Sequence, residues 1–138
     1  MAYHDYELLT FDIKMTFLNA LLPNEIYCKQ IPKFHEADPN TVLLYIYVIY
    51  GLKQSSWEFY KLLHATLEGI GLSCCKVDHG VFYGHFLSLP DDSIPMPANG
   101  SELVIIVPVH VDDGLVSTNS LPLYHWVISK VNKCLDYH

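Results

Sequence analysis

Residues 103–118 read LVIIVPVHVDDGLVST, an apolar run followed by two adjacent aspartates, a glycine and a second apolar run. Val and Ile are enriched in strands, and an Asp-Gly step between two such runs is typical of a hairpin turn. We therefore predict a β-hairpin with Asp112 and Asp113 at or beside its turn. Adjacent carboxylates repel each other unless a proton or a metal ion lies between them. The stretch indicates either an ordinary acidic turn or a cation site at the hairpin tip.

Length and charge limit what the chain can be. Its 138 residues allow one domain with a modest core, and 51% hydrophobic against 17% charged residues is rich for so small a unit. Such a composition predicts apolar surface that a neighbouring segment or partner covers. The formal charge of −7 argues against a free-standing nucleic-acid-binding protein, which normally presents a basic face.

The sequence shows no signal-peptide pattern and no zinc-binding cysteine spacing. The first five residues show neither the basic start nor the apolar core of a signal peptide, and the longest apolar runs are too short to span a bilayer. No C-x-x-C spacing occurs, so we expect reduced thiols rather than a zinc site. These features predict an intracellular protein without a membrane partner. The cysteines are Cys28, Cys74, Cys75 and Cys134.

The N-terminal half is predicted to begin with a strand over residues 7–12, which places Asp12 at the end of that strand. Pro23 and Asn24 are expected to end the helical turns that follow. The further predicted elements of this half are helical turns over 15–22, an edge strand over 25–30, a loop over 32–40 and a strand over 42–50.

The second half is predicted to contain two helices that flank the acidic hairpin in the sequence. Ser55 and Glu58 form a capping-box pattern, and Gly69 and Gly71 are placed to end that helix. Ser120 is placed to cap a last helix of about fourteen residues. Strands with helices between them predict an α+β sheet covered on one side. The remaining features are a strand over 77–87, an exposed loop over 88–101, and apolar helix faces of Phe59, Leu62, Leu63, Leu67 and Ile70, and of Leu123, Val127, Val131 and Cys134 or Leu135.

Four short motifs carry a resemblance to a known family. FDIKMTFLN at 11–19 resembles the first carboxylate motif of the copia-type retrotransposon reverse transcriptases, and HVDD at 110–113 resembles the second. YGLKQ at 50–54 and VDHGVFY at 77–83 also resemble motifs of that family, in its order and at roughly its spacing. The resemblance covers essentially the whole chain, from about residue 7 to residue 135.

The resemblance implies an RNA-directed DNA polymerase that transfers nucleotides with two divalent ions, Mg²⁺ or Mn²⁺. It assigns Asp12, Asp112 and Asp113 as catalytic residues and metal ligands, with the backbone carbonyl of Ile13 as a further ligand. Magnesium prefers oxygen ligands, and two such ions stabilise the attacking and leaving oxygens at phosphorus. The implied fold is the polymerase palm, a split β-α-β sheet with helices on one face.

The resemblance also implies contacts to an incoming deoxynucleotide. Phe17 matches the aromatic position that excludes a ribose 2′-hydroxyl, and Lys53 and Gln54 match the segment that lines the nucleotide. Phe17 is equally well interpreted as a core aromatic, and Gln54 as a polar residue of the turn before the helix. The implied partners of the intact enzyme are an RNA or DNA template-primer and a deoxynucleoside triphosphate.

Several departures from the family pattern shape the functional expectation. Trp57 and Phe59 stand where an arginine and a tryptophan are usual, and the family's finger strands and thumb would lie beyond the two ends of the chain. Residues 1–138 are therefore expected to be a partial reverse transcriptase domain, a palm core truncated at both ends. We expect weak or no nucleic-acid binding and no catalysis by this chain alone. If it belongs to an intact element, a virus-like particle or the nucleus is also an expected location.

Two alternatives from other functional classes remain. One is a domesticated, non-catalytic protein-binding module derived from the palm domain. The other is a divalent-ion-dependent nuclease or transferase that shares the three aspartates.

Overall fold

The computed structural model describes residues 6–14, 16–31, 38, 40–87, 94 and 100–135. Within these ranges the chain forms strands, two α-helices and one short 3₁₀ helix at Thr16–Asn19. The strands are β1 (Glu7–Asp12), β2 (Leu21–Lys29), β3 (Val42–Tyr47), β4 (Ser73–Cys74), β5 (Val81–Phe86), β6 (Leu103–His110) and β7 (Asp113–Thr118), and the α-helices are α1 (Ser55–Gly69) and α2 (Leu121–Leu135).

The main sheet is antiparallel and has the strand order β1-β7-β6-β5-β4. Its core side chains alternate with exposed ones along β6 and β7, as expected of a sheet with one covered face. Both α-helices pack on the covered face, which confirms the predicted α+β fold with helices on one side. The buried apolar residues that join these layers are Phe59, Leu63 and Leu67 of α1, Phe82 of β5, Leu103, Ile105 and Val107 of β6, Val116 of β7, and Leu123, Val127, Val131 and Leu135 of α2.

The opposite face of the sheet is open. In β7 the exposed positions Asp113 and Leu115 alternate with buried Gly114 and Val116. Directly paired residues of neighbouring strands share a face. The residues that line this side are therefore Leu8, Thr10 and Asp12 of β1, Ile106 and His110 of β6, and Tyr83 and His85 of β5. The open face therefore carries the end of β1 and the start of β7 next to each other.

The β2–β3 pair forms a separate two-stranded sheet. The predicted helical turns over 15–22 are wrong at their C-terminal end, because the 3₁₀ helix stops at Asn19 and Leu21 already belongs to β2. Pro23 lies inside β2 rather than ending a helix. The register of the pair shifts between Leu21 and Ile26, and such an irregularity tolerates a residue without an N–H donor.

The predicted capping box at the start of α1 does not form, although α1 does begin at Ser55. Ser55 is buried, and its hydroxyl donates to the carbonyl oxygen of Ile49 at 2.5 Å, whereas Gln54 occupies the N-cap position without a side-chain hydrogen bond. The predicted C-terminal end is confirmed, since α1 stops at Gly69 and Gly71 has φ of +96°. The predicted cap of α2 is also confirmed, by a 3.4 Å bond to Ser120 Oγ from the third residue of the helix.

Some predicted boundaries shift inward. The strand predicted over 42–50 ends at Tyr47, and the one predicted over 77–87 spans only Val81–Phe86 because residues 76–80 bend and turn. Most of the predicted loops at 32–40 and 88–101 lies outside the described residues. Neither α1 nor α2, in the part of the chain that the structure describes, is long and apolar enough to cross a bilayer.

Candidate functional site

The acidic hairpin forms as predicted, with a two-residue turn. β6 ends at His110, β7 begins at Asp113, and Val111 and Asp112 make the turn between them. Val111 has φ of +58°, a conformation that is a strained outlier for a β-branched residue. Simple alternation would put His110 and Asp112 on one face, but the strand stops at His110, and this residue instead pairs with Asp113.

The fold brings Asp12 to this hairpin. β1 pairs with β7 in a register that sets Asp12 opposite Asp113. Residues directly opposite in an antiparallel pair lie side by side on one face, with Cβ atoms about 4.5–5.5 Å apart. Asp12 and Asp113 are both exposed on the open face. Two of the predicted carboxylates are thus neighbours, although about 100 residues separate them in the sequence.

The third carboxylate lies in the turn beside this pair. The backbone N–H of Ile13 donates to the carbonyl oxygen of Asp112 at 3.0 Å, which ties the turn to the residue after Asp12. In the part of the chain that the structure describes, no group of three or more His, Cys, Asp or Glu side chains is arranged to hold a metal ion. The backbone nevertheless sets Asp12 opposite Asp113 and places Asp112 in the adjacent turn.

The backbone after Asp12 is fixed by a buried hydroxyl. Thr16 is fully buried, and its Oγ1 donates to the carbonyl oxygen of Ile13 at 2.6 Å. That oxygen is the predicted further metal ligand, and a carbonyl retains a second lone pair when it accepts one hydrogen bond. The role of Thr16 is not among the sequence predictions. The sequence signal for this role is the three-residue spacing between Ile13 and Thr16, because a threonine hydroxyl commonly bonds a carbonyl oxygen three or four residues earlier.

Gly114 makes room for the aromatic residue that precedes Asp12. A Cβ atom built on Gly114 would lie 2.1 Å from two ring carbons of Phe11, which is the cross-strand partner of Gly114. The Phe11 ring thus lies over the glycine backbone on the helix-covered side of the sheet. Gly114 of the Asp-Asp-Gly sequence therefore makes room for the Phe11 ring in addition to its place in the hairpin.

Phe17 lies in an aromatic cluster beside the site. It is 7% exposed, and its ring makes edge-on contacts with Tyr50 and Phe59, at centroid distances of 4.5 and 6.2 Å. These contacts join the 3₁₀ helix to the start of α1. The arrangement fits the core-aromatic interpretation, and the predicted contact with a nucleotide sugar stays a prediction.

Lys53 and Gln54 lie in the turn that leads into α1. Lys53 is exposed, whereas Gln54 is half-buried and its carbonyl oxygen accepts the N–H of Glu58 at 2.9 Å. The Ser55 hydroxyl anchors the same turn to Ile49. The turn is therefore firmly positioned, and the role of both side chains toward a nucleotide stays a prediction.

A groove of about 650 Å³ runs along the open face at the hairpin, and Asp113 and His110 line it. Asp78 lines it as well, from the turn before β5, and its Oδ1 accepts the N–H of Gly80 at 2.9 Å. The carbonyl oxygen of Gly80 in turn accepts the N–H of Val109 at 2.7 Å, which ties this turn to β6. Asp78 was not predicted as a site residue, although Asp two positions before Gly is a common turn signal.

Comparisons with known proteins identify related sequences. A family model described as reverse transcriptase (RNA-dependent DNA polymerase) matches residues 1–136. A putative transposon Ty5-1 protein of Saccharomyces cerevisiae is 29% identical over 123 residues, which are 88% of this chain and 35% of that protein. A retrovirus-related Pol polyprotein from transposon RE1 of Arabidopsis thaliana is 28% identical over 123 residues, again 88% of this chain but 7% of the polyprotein.

No solved structure gives a significant match. The chain thus spans about a third of one of these curated relatives and a small part of the other. The family match extends over nearly the whole sequence, includes both carboxylate motifs, and confirms the resemblance noted from those motifs. The chain therefore belongs to the reverse transcriptase (RNA-dependent DNA polymerase) family.

Proposed function

We propose that this chain is the carboxylate-bearing palm part of a retrotransposon RNA-directed DNA polymerase. In this proposal Asp12, Asp112 and Asp113 are the catalytic residues and hold Mg²⁺ or Mn²⁺, with the Ile13 carbonyl as a further ligand. The observation that carries the proposal is the strand register that sets Asp12 opposite Asp113, because it unites the two family motifs at one point.

The donor atoms suit such an ion. Carboxylate and carbonyl oxygens are the ligands that magnesium prefers. Two carboxylates directly opposite on a sheet repel each other, and a cation between them would remove that repulsion. When bound, the ions would neutralise the charge that builds on the attacking and leaving oxygens at phosphorus. The acidic pair lies on an exposed face, where a nucleotide and a primer end have access to it.

The protein's own part in the reaction would be to position groups. The β1–β7 pairing sets the spacing of Asp12 and Asp113, and the bond from Ile13 to Asp112 fixes the turn. Phosphoryl transfer depends mainly on such positioning and on electrostatic stabilisation. For Phe17, Lys53 and Gln54 we propose contacts with the incoming nucleotide, because these residues lie in the two sequence segments that resemble the family's nucleotide-lining motifs.

The proposed substrates are an RNA or DNA template-primer and a deoxynucleoside triphosphate, bound by the longer polypeptide to which such a domain belongs. The relatives are longer than this chain, and its own surface is acidic, with 8 Lys and Arg against 15 Asp and Glu. The cationic contacts that bind nucleic acid would therefore come from other parts of that polypeptide.

Calorimetric titration with Mn²⁺ tests the proposal. Weak binding is expected for the natural sequence, and a loss of affinity of about tenfold or more for Asp12→Asn and for Asp113→Asn, since each removes a charged ligand. Glu7→Gln is the matched control, because Glu7 is an exposed carboxylate at the other end of β1. Equal Mn²⁺ affinity in all four proteins would exclude the metal site.

A second candidate, the non-catalytic protein-binding module, is favoured by a different observation. The β2–β3 sheet exposes several large apolar side chains, among them Ile46 at 60% and Tyr27 at 54%. Surfaces of this kind mark contacts with other protein segments. This candidate would be favoured over the polymerase by two results together. The Mn²⁺ affinity would be unchanged by substitution of Asp12 or Asp113, and Ile46→Lys would self-associate less than the natural sequence in sedimentation measurements.

A further inference from the structure

A small apolar cavity lies behind the acidic hairpin, on the helix-covered side of the sheet. It has a volume of about 180 Å³ and lies between the first half of α1 and the ends of β5 and β6. Its walls include Phe59 and Leu63 of α1, Phe82 of β5, Val109 of β6, and Val111 of the hairpin turn, with Ser56 contributing from the first turn of α1.

No charged side chain of the described residues lines this cavity, and its inner walls are core residues, whereas Ser56 on its outer side is exposed. Phe59, Phe82 and Leu63 are only 1–2% exposed, so they belong to the packed core and have little freedom to close the space. The hydroxyl of Tyr60, which also lines the cavity, donates to the carbonyl oxygen of His79 at 3.1 Å and is thus engaged elsewhere. A polar or charged ligand would find few partners here, whereas an apolar ring would lose water and gain dispersion contacts.

The size of the cavity selects one class of ligand. Apolar protein cavities of roughly 150 Å³ lined by Leu, Ile and Phe stay dry and take up benzene. At about 180 Å³ this cavity is of the same order, so it suits a single aromatic ring or a small fused bicycle. A peptide segment or a nucleotide is far larger.

A second observation links the cavity to the hairpin. Val111 lines the cavity and is also the residue with φ of +58°. Strain of this kind persists only where surrounding contacts hold the residue in place. A ligand in the cavity would add contacts to the Val111 side chain that the empty space does not provide.

We propose that this cavity is a binding site for a small, uncharged aromatic molecule of about the size of benzene or indole. The cavity is distinct from the groove that Asp113 lines, although Gly80 and Val109 contribute to the walls of both. The proposal does not rest on the polymerase function, since it follows from the volume and the lining of the cavity.

Indole is the probe for the test, and the methyl resonances of the protein in NMR spectra are the readout. With a dissociation constant on the order of 0.1–1 mM, indole is expected to shift the methyl signals of Leu63, Val109 and Val111 in the natural sequence. Ile46, which is 60% exposed on the β2–β3 sheet and does not line the cavity, reports non-specific adhesion and is expected not to shift.

Two substitutions of one residue give a matched comparison. Ser56→Phe places a ring in the cavity from an exposed helix position and is expected to weaken indole binding more than about tenfold, whereas Ser56→Ala leaves the space open and the binding unchanged. Leu63→Phe fills the cavity from another wall and is expected to weaken binding in the same direction. The melting temperatures of these proteins show whether they fold. Shifts confined to Ile46, no shifts at millimolar indole, or equal binding by folded Ser56→Phe and Ser56→Ala would overturn the proposal.

Discussion

Asp12 and Asp113 lie directly opposite each other in the pairing of β1 with β7, on the open face of the sheet. Like charges at directly opposed positions destabilise a strand pair. The fold therefore holds two carboxylates together against their mutual repulsion. Such an arrangement sacrifices stability at a site, and functional sites are where this trade-off recurs.

Replacement of one member of the pair is expected to stabilise the protein when no metal ion is present. Asp12→Asn should raise the melting temperature by about 1–4 °C in buffer with a chelator, because the repulsion disappears. In millimolar Mn²⁺ the advantage should shrink or reverse, since only the natural sequence gains stability from ligand binding. Thermal unfolding followed by circular dichroism measures both effects. Glu7→Gln should behave like the natural sequence in both buffers, and a lower melting temperature of Asp12→Asn with chelator would contradict the prediction.

Gly114→Ala is expected to destabilise the protein by about 1–3 kcal/mol, because the new methyl group would overlap the Phe11 ring and force it to move. Chemical denaturation measures the change in the free energy of unfolding. Gly69→Ala is the control: it lies at the end of α1 with open space around its Cβ, and should be neutral or stabilising by up to about 1 kcal/mol.

A second substitution separates overlap from other causes of instability at Gly114. If the Phe11 ring is the obstacle, the loss caused by Gly114→Ala should be smaller in a Phe11→Ala background than in the natural sequence. Equal losses in both backgrounds would show that the ring is not responsible.

Cys75 is expected to be the most reactive of the four thiols at neutral pH. The backbone N–H groups of Asp78 and Val77 point at its sulfur and lower its pKa, because they stabilise the thiolate. Alkylation by iodoacetamide, followed peptide by peptide with mass spectrometry, should therefore proceed fastest at Cys75, and at this residue it should begin at a lower pH in the folded protein than in urea. In urea the rates should converge, and a preference that survives unfolding would exclude the folded loop as its cause.

The lowered pKa of Cys75 also predicts how the stability of the protein changes with pH. A group whose pKa falls on folding stabilises the protein fully above its unfolded pKa, and the contribution is lost as pH falls through the folded value. Cys75→Ser should thus lose stability relative to the natural sequence at alkaline pH more than at pH 6. A difference that is constant across this range would contradict the assignment.

Primer extension by this chain alone is expected to stay at background. The formal charge of −7 repels a polyanionic duplex, and retention of a template-primer depends on cationic contacts with phosphates. The measurement is elongation of a labelled DNA primer on an RNA template in Mg²⁺ or Mn²⁺, with Asp112→Asn as the blank. Product clearly above that blank would show that the chain positions its substrates without further segments.

Regular patterns in the sequence predicted the architecture well. The two apolar, β-branched runs around Asp112, Asp113 and Gly114 predicted the hairpin, and the spacing of Phe59, Leu63 and Leu67 predicted the covered face of α1. Predictions failed where a local signal competed with tertiary contacts. Pro23 reads as a helix stop but lies in an irregular strand, and Ser55 reads as a cap but its hydroxyl bonds a carbonyl from the preceding segment.

The sequence motifs predicted which carboxylates would form the candidate site, but not the contacts around them. Asp12, Asp112 and Asp113 were predicted as site residues from motifs, and the register sets Asp12 opposite Asp113, with Asp112 in the adjacent turn. Their role as metal ligands stays a prediction. Thr16 and Asp78 each carry a local sequence signal, but their place beside the site depends on the path of the backbone, which those signals do not specify. The positive φ of Val111 was equally hidden, because valine gives no signal for such a conformation.

The pairing of Asp12 with Asp113 also sets the order in which the site assembles. Contacts between distant parts of a chain form late, since a long loop must close first. At roughly 5–20 residues per second on a ribosome, β7 emerges several seconds or more after β1. Until then β1 has no partner strand from the hairpin. A nascent chain that stops anywhere between the two motifs therefore carries the first aspartate but not the pair, so the acidic site exists only in products whose synthesis has passed the hairpin.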